Sequence, residues 1–359
     1  MTKAVSEAQV LDALRSVMDP DLHRDIVSLG FVRNMKIEDG TVAFDVNLTT
    51  PACPVKDRLR EQSRQAVLAI PGVTDARVNM TAEVRRPPQP STSALQNVRN
   101  IVAVGSGKGG VGKSTVASNI AASLARSGAR VGLLDADIYG PSIPIMMRSA
   151  RPAEPRADNV IEPGDAHGVK VMSMGYLTPG DQPLIWRGPM AHKAMQQCLL
   201  GVNWGELDYL IVDLPPGTGD VHLTLVQTVP VTGGVIVSTP QDVGLQISMK
   251  TLRMLQQTKV PILGIVENMS FYVCPHCGGR DDLFGHGGAE AAAKALDVPF
   301  LGAIPLDPAI RRAADEGTPV VVADPESVSG KAMSDVAGTL ARQVSIRAFR
   351  NLTLSIVEE

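Results

Sequence analysis

The sequence predicts a doubly wound α/β domain built on a mostly parallel sheet, preceded by a small α+β domain. Three observations carry this. The chain has 359 residues, and at roughly 150 residues per domain that makes about two. Residues 86–97 hold Pro87, Pro88 and Pro90 among serines and a threonine, with no apolar periodicity, which is the composition of a linker. Beyond it, apolar runs with almost no polar alternation trade places with helix-spaced segments, as in a parallel sheet covered on both faces.

In residues 1–85, Val10, Leu11, Leu14 and Val17 fall at helical spacing over Glu7–Met18. Phe31–Ile37 and Thr41–Leu48 are strand-like, and Asp39-Gly40 between them suits a hairpin turn that needs positive φ. Helical spacing returns over Pro54–Ile70, Pro71-Gly72 ends it, and Val73–Val84 is a last strand. In residues 98–345, strands are expected at Ile101–Val104, Arg130–Leu134, Val169–Met174, Tyr209–Val212, Gly234–Ser238, Ile262–Val266 and Pro299–Ala303. Helices are expected at Lys113–Arg126, Met190–Leu200, Val243–Thr258 and Ala289–Leu296. Residues 346–359 are read as a C-terminal tail without chemistry of their own.

Apolar residues at 44% and charged residues at 20% exclude global disorder. A net charge of −3 gives no general attraction to nucleic acid or acidic membranes, and 3% aromatics argue against a base-stacking platform. The N-terminus is acidic and lacks an apolar signal core. Apolar runs fall far short of the ~20 residues of a membrane span. The expectation is a soluble cytoplasmic protein without nucleic-acid or membrane partners. Its four cysteines, Cys53, Cys198, Cys274 and Cys277, are too few for a disulfide framework, and the C-x-x-C pair points to metal or redox chemistry in a reducing compartment.

The most specific signal follows the first strand of the second region. Gly107-Lys108-Gly109-Gly110-Val111-Gly112-Lys113-Ser114-Thr115 satisfies G-x(4)-G-K-S/T, with a strand before it and a helix after. Glycines let successive N–H groups turn into one concavity, and the helix N-terminus adds partial positive charge where phosphates sit. Lys113 is placed to reach the β- and γ-phosphates of ATP, and the Ser114 hydroxyl to ligate Mg²⁺. Lys108 is one lysine more than such a loop needs, and its expected role is to meet developing phosphate charge, as an arginine finger does. Asp135 and Asp137 stand at the end of the next strand and Asp213 at the end of a later one. Strand C-termini face the ligand crevice of open α/β sheets. Asp137 is expected to orient the attacking water, Asp135 to lie near the Mg²⁺ shell and Asp213 to hold Mg²⁺ as a Walker B aspartate.

This loop resembles that of the deviant-Walker P-loop ATPases, the class that includes MinD, ParA and the nitrogenase iron protein. The resemblance implies that Lys108 contacts nucleotide across a homodimer interface and that Asn268, in Glu267-Asn268-Met269-Ser270, reads adenine. Asp135–Pro144, Trp186–Met190, Asp213–Asp220, Glu267–Ser270 and the placement of Cys274 and Cys277 are similar to the Mrp/ApbC group of iron–sulfur cluster carrier ATPases. The first region resembles the small metal–sulfur cluster assembly domain often fused to them, through Asp19-Pro20, Ile26–Gly30 and Thr49–Pro54. The implied partners are iron–sulfur scaffold proteins and apoprotein acceptors.

The Cys274-Pro275-His276-Cys277 pair has the form of a metal knuckle but offers two ligands where a four-coordinate site needs four. Three readings stand open: a 4Fe–4S cluster shared by two copies, zinc completed by His276, His286 or a second copy, and a redox dithiol. Two-fold symmetry, if Lys108 acts across an interface, favours the first. Cys53, before a helix, is either a reactive thiol or a buried apolar residue. Cys198 lies on an apolar helical run and is read as core. The alternative overall reading is a MinD- or ParA-like positioning ATPase with a zinc knuckle.

Overall fold

The structure, a computed structural model, describes residues 5–85, 95–138, 140–150, 160–177, 188–217 and 220–357. Most of the expected linker, 86–94, lies outside the described residues. So do Tyr139, Trp186, Arg187, Thr218 and Gly219 of the motif blocks. Two units are distinguished: Met1–Arg85 together with Ser345–Glu359, and Arg86–Val344.

In the first unit, α1 (Glu7–Leu14) opens on a capping box in which Ser6 and Gln9 satisfy each other's backbone N–H groups, and it buries Val10 and Leu14. A short antiparallel ladder follows, β1 (Met18–Asp19) with β2 (Arg24–Asp25). β3 (Val32–Glu38) and β4 (Thr41–Leu48) form the expected hairpin. Asp39 and Gly40 turn it at φ 45° and 79°. α2 (Lys56–Leu68) then carries the chain over so that β5 (Asp75–Ala82) pairs parallel to β4. Leu14, Ile26, Phe31, Phe44 and Leu59 fill the core beneath this mixed sheet.

The second unit runs β6 (Val98–Ser106), α3 (Lys113–Arg126), β7 (Val131–Asp135), α4 (Ile143–Met146), β8 (Gly164–Ala166) and β9 (Val169–Ser173). It continues with α5 (Gly188–Leu200), β10 (Leu207–Asp213), α6 (Asp220–Thr228), β11 (Gly233–Ser238), α7 (Asp242–Gln257) and β12 (Ile262–Glu267). A small hairpin of β13 (Tyr272–Val273) and β14 (Arg280–Asp281) precedes α8 (Gly288–Ala295), β15 (Phe300–Ala303), α9 (Pro308–Asp315), α10 (Val320–Ala323) and α11 (Val328–Val357). Eight strands form one sheet in the order β15-β12-β11-β6-β10-β7-β9-β8, and all pairs are parallel except the edge pair β8–β9. Strands β7, β10 and β11 are buried along their whole length, which explains their unbroken apolar sequence. From β6 the chain moves first to β7 on one side and later to β11 on the other. The carboxyl end of β6 is therefore a topological switch point, where ligands bind in such sheets.

The helices α4, α6, α9, α10 and α11, the edge strand β8 and the short ladders β1–β2 and β13–β14 go beyond the elements expected from sequence. Residues 346–357 continue α11, and from Ser345 onward this helix counts with the first unit. There Phe349 meets the Phe31 ring edge-on at 6.2 Å, and the Arg85 guanidinium lies 4.4 Å over the Phe349 ring. Among the described residues no helix is long and apolar enough to cross a membrane.

Candidate functional site

The loop between β6 and α3 is built to receive anions. Gly110 and Gly112 both sit at φ +79°. At Gly112 a Cβ would also collide with Asn268 Nδ2, so both backbone conformation and space demand glycine there. No side chain caps α3, and its first turn carries no acidic residue. Its leading N–H groups are thus left for a ligand. Lys108 is half-buried, and its carbonyl accepts a 3.0 Å bond from Ser106 Oγ. Gly109 and Gly110 are exposed, Val111 is buried, and Gly107, Ser114 and Thr115 are half-buried.

Behind the loop lies a buried ionic cluster. Parallel pairing of β10 with β7 sets Asp213 beside Asp135, and both side chains are fully buried. Lys113, 7% exposed, donates to Asp213 Oδ1 at 2.6 Å, and its Nζ lies 3.3 Å from Ser114 Oγ. Asp213 Oδ2 is buried with no hydrogen-bond partner among the described residues. Burial pushes Asp213 up from the ordinary carboxylate range, and the neighbouring Lys113 opposes this. Burial, and next the Asp213 charge, push Asp135 up to about 7.

The Asp135 carboxylate is held by three donors. Its Oδ1 accepts from Asp137 N at 3.1 Å, and its Oδ2 accepts from Ile143 N and Ser173 Oγ, both at 3.1 Å. These bonds staple down the stretch that carries Asp137. Asp137 itself is half-buried, and its carboxylate accepts from Gly140 N at 3.2 Å.

Asn268 follows the last residue of β12. Its Nδ2 donates to Val111 O at 2.8 Å, which ties that strand end to the phosphate loop. Beside it opens a cavity of about 450 Å³ lined by Thr115, Asn268, Met269, Pro305, Leu306 and Ile310. The last three were not anticipated. Their signal was Ile304-Pro305 directly after the strand Phe300–Ala303, next to β12 in the sheet.

The hairpin β13–β14 presents the cysteine pair. Cys274 N donates to Gly279 O and Gly278 N donates to Cys274 O, both at 2.9 Å, with Gly278 at φ +69° completing the tight turn. Cys274 is half-buried and Cys277 exposed. The backbone N–H groups of His276 and then Cys277 hold the Cys274 thiol below its usual pKa. Among the described residues no group of three or more His, Cys, Asp or Glu side chains is placed to hold a metal. Among the described residues, neither His276 nor His286 joins the two cysteines in such a group. His286 Nδ1 instead lies 2.7 Å from Ser270 Oγ. Cys198 is fully buried with its Sγ 3.7 Å from Met174 Sδ, and burial pushes its thiol up to about 12, as a core residue requires. Cys53 is half-buried and packs on the core of the first unit.

Residues 97–341 match the family model described as NUBPL iron-transfer P-loop NTPase. The chain belongs to this family. Residues 7–80 match a second model, iron-sulfur cluster assembly protein. An iron-sulfur cluster carrier protein of Deinococcus radiodurans is 52% identical over 344 residues, covering 96% of this chain and 97% of the relative. A nucleotide-binding protein of Archaeoglobus fulgidus, solved with ADP, is 41% identical with a TM-score of 0.54, over 62% of this chain and 88% of that one. The cell division ATPase MinD of Pyrococcus furiosus shares the fold at TM-score 0.52 and 24% identity, over 67% of this chain and 97% of that one. The sequence resemblance thus identified the family. Within the iron-transfer NTPase unit, the structure brings Lys113, Ser114, Asp135 and Asp213 into one cluster and Asn268 against the loop. Cys274 and Cys277 stand apart on their hairpin.

Proposed function

We propose that this chain is an ATP-binding and ATP-hydrolysing carrier that holds a labile iron–sulfur cluster at Cys274 and Cys277 and hands it to apoproteins in the cytoplasm. One observation carries the reading. A single segment, Asn268 to Cys277, begins in hydrogen-bond contact with the phosphate loop and ends in a thiol pair open to solvent. Relatives of nearly equal length that are named iron-sulfur cluster carrier proteins support it.

The phosphates of ATP lie against the N–H groups of Gly107–Thr115, with the base in the cavity beside Asn268. Lys113 turns from Asp213 to the phosphates, a short swing between two anionic partners. The buried, unpartnered Asp213 Oδ2 and the half-buried Ser114 hydroxyl fit Mg²⁺, which when bound offsets charge on phosphate oxygens. Asp137 orients the water that attacks the γ-phosphate, and Lys108 of a second copy meets the charge that develops. Two copies also complete the metal site: two thiolates from each give the Cys₄ set of a 4Fe–4S cargo. Nucleotide acts on the cargo only by binding one dimer arrangement more tightly than another. Scaffold proteins supply the cluster and apoprotein acceptors take it.

The test is transfer from the reconstituted protein to an apoprotein acceptor. The Cys274→Ala, Cys277→Ala double variant should transfer nothing, and Lys113→Ala should lose the nucleotide dependence of the rate. A Lys113→Ala protein that transfers at the wild-type rate with ATP contradicts the coupling.

A further inference from the structure

The excursion that carries the cysteines starts and ends on one buried carboxylate. Glu267, the last residue of β12, is fully buried. On the outgoing side, Ser270 Oγ donates to Glu267 Oε1 at 2.6 Å, and Ser270 N donates to Ile304 O at 2.9 Å. On the returning side, Gly287 N donates to Oε1 at 2.9 Å and Ala289 N to Oε2 at 2.8 Å, so the same carboxylate sits at the N-terminus of α8. His286, the residue before Gly287, closes the root through Ser270 Oγ at 2.7 Å and stacks edge-on against Phe271 at 6.3 Å. Arg280 of β14 lies 4.3 Å over the other partner of that stack, the Phe271 ring. The hairpin is thus fastened at its base and free only at its tip.

The base is also where the nucleotide loop is touched. Asn268 lies between Glu267 and Ser270, is 5% exposed, and holds Val111 O. Met269, held at φ +57°, lines the cavity beside it. A ligand that moves the phosphate loop or enters that cavity pushes on residues 268 and 269. Those residues cannot shift without disturbing the bonds that Glu267 makes to both ends of the hairpin. Coupling through a buried, fully connected polar cluster is stiff, because each lost bond leaves an unsatisfied group.

We infer that Glu267 and Ser270 are positioning residues that link nucleotide binding to metal binding at Cys274 and Cys277, by fixing the root of the cysteine hairpin to the strand end that contacts the phosphate loop. This rests on the reading of the two cysteines as a metal–thiolate pair. Linkage of this kind is reciprocal: nucleotide changes metal affinity by the factor by which metal changes nucleotide affinity.

The experiment uses the full chain purified without oxygen, with Co²⁺ as the probe at the cysteines and thiolate-to-cobalt absorption as the signal. Titrations are run with and without a saturating non-hydrolysable ATP analogue and Mg²⁺. In the wild type the two Co²⁺ dissociation constants should differ by about fivefold or more. Glu267→Gln also weakens the start of α8, so it is paired with Ser270→Ala, which leaves both backbone bonds to Glu267 in place. Each variant should still bind Co²⁺ and the analogue separately, with the ratio of constants brought to within about twofold of one. A wild-type ratio of one, or variants that keep the wild-type ratio, overturns the inference while leaving the carrier function standing. A wild type that shows no thiolate–cobalt absorption at all overturns both.

Discussion

The phosphate loop and the cysteine hairpin lie at opposite ends of one short segment and are built on opposite principles. At the loop, Lys113, Asp135 and Asp213 are 7%, 0% and 0% exposed, and the Lys113 amine and both Asp135 oxygens have fixed partners. At the hairpin, Cys277 is exposed, and no third ligand joins the pair among the described residues. A charged ligand that must be held and cleaved profits from a dry, pre-oriented site, where charges act through little intervening water. A cargo that must be released profits from the reverse: few ligands, open to solvent and to a partner. Glu267 joins the two, being buried like the first region while fastening the second.

Three substitutions sharpen this contrast. The largest effect is expected at Lys113. Lys113→Ala leaves the paired carboxylates of Asp213 and Asp135 buried without their cation, which should lower unfolding free energy by about 3 kcal/mol. It should also cut ATP turnover by about 100-fold or more. The Cys274→Ala, Cys277→Ala variant should keep stability within about 0.5 kcal/mol of wild type, because the hairpin tip supports no core. Its basal ATP turnover should be unchanged. Denaturant titration and steady-state phosphate release check both. Equal losses in the two variants would break the contrast.

The next effect is steric. Gly112→Ala places a Cβ against Asn268 Nδ2 on a residue at φ +79° and should destabilise by about 1–3 kcal/mol while weakening nucleotide binding. Gly109→Ala, where a Cβ meets nothing within 4 Å, is the control and should be close to neutral in a thermal melt.

A further effect is in pH. Asp135 is raised to about 7 in the folded chain from an ordinary value of 3.8. Between those values the folded protein holds a proton that the unfolded chain releases. Its contribution to stability is therefore complete below the unfolded value and is lost as pH rises through about 7. Asp135→Asn removes the titrating group, so its denaturation midpoint should fall less steeply than that of wild type between about pH 4 and 7. A wild type whose stability rises over that window would contradict the buried pair.

The fold of the second unit was legible because its strands are buried on both faces and its first helix follows a nine-residue glycine-and-lysine motif. What escaped the sequence had its cause at long range. α9 starts at Asp307-Pro308, a sound cap signal in which Asp307 accepts from Ala309 N at 2.8 Å, yet its apolar stripe is too short to mark a helix by spacing alone. α11 continues through the residues read as a tail because Phe349 packs on Phe31, a partner more than three hundred positions away. In the site, residue types and spacing gave the loop, the aspartates and the cysteine pair. They did not reveal that Lys113 rests on Asp213, or that Asp135 binds backbone and Ser173. The role of Glu267 was only partly local: Ser270 bonds it from three residues away, but its other two bonds reach Gly287 and Ala289. Such roles depend on which strand ends become neighbours, and only the sheet order decides that.

The most direct measurement of the central claim is the metal content and mass of the full chain after anaerobic reconstitution, for wild type and for Cys274→Ala, Cys277→Ala. The account predicts about four iron and four sulfide per two chains in a wild-type dimer. In the double variant it predicts no cluster, with nucleotide binding intact. A double variant that retains a full cluster, or a wild type that takes up none, would contradict it.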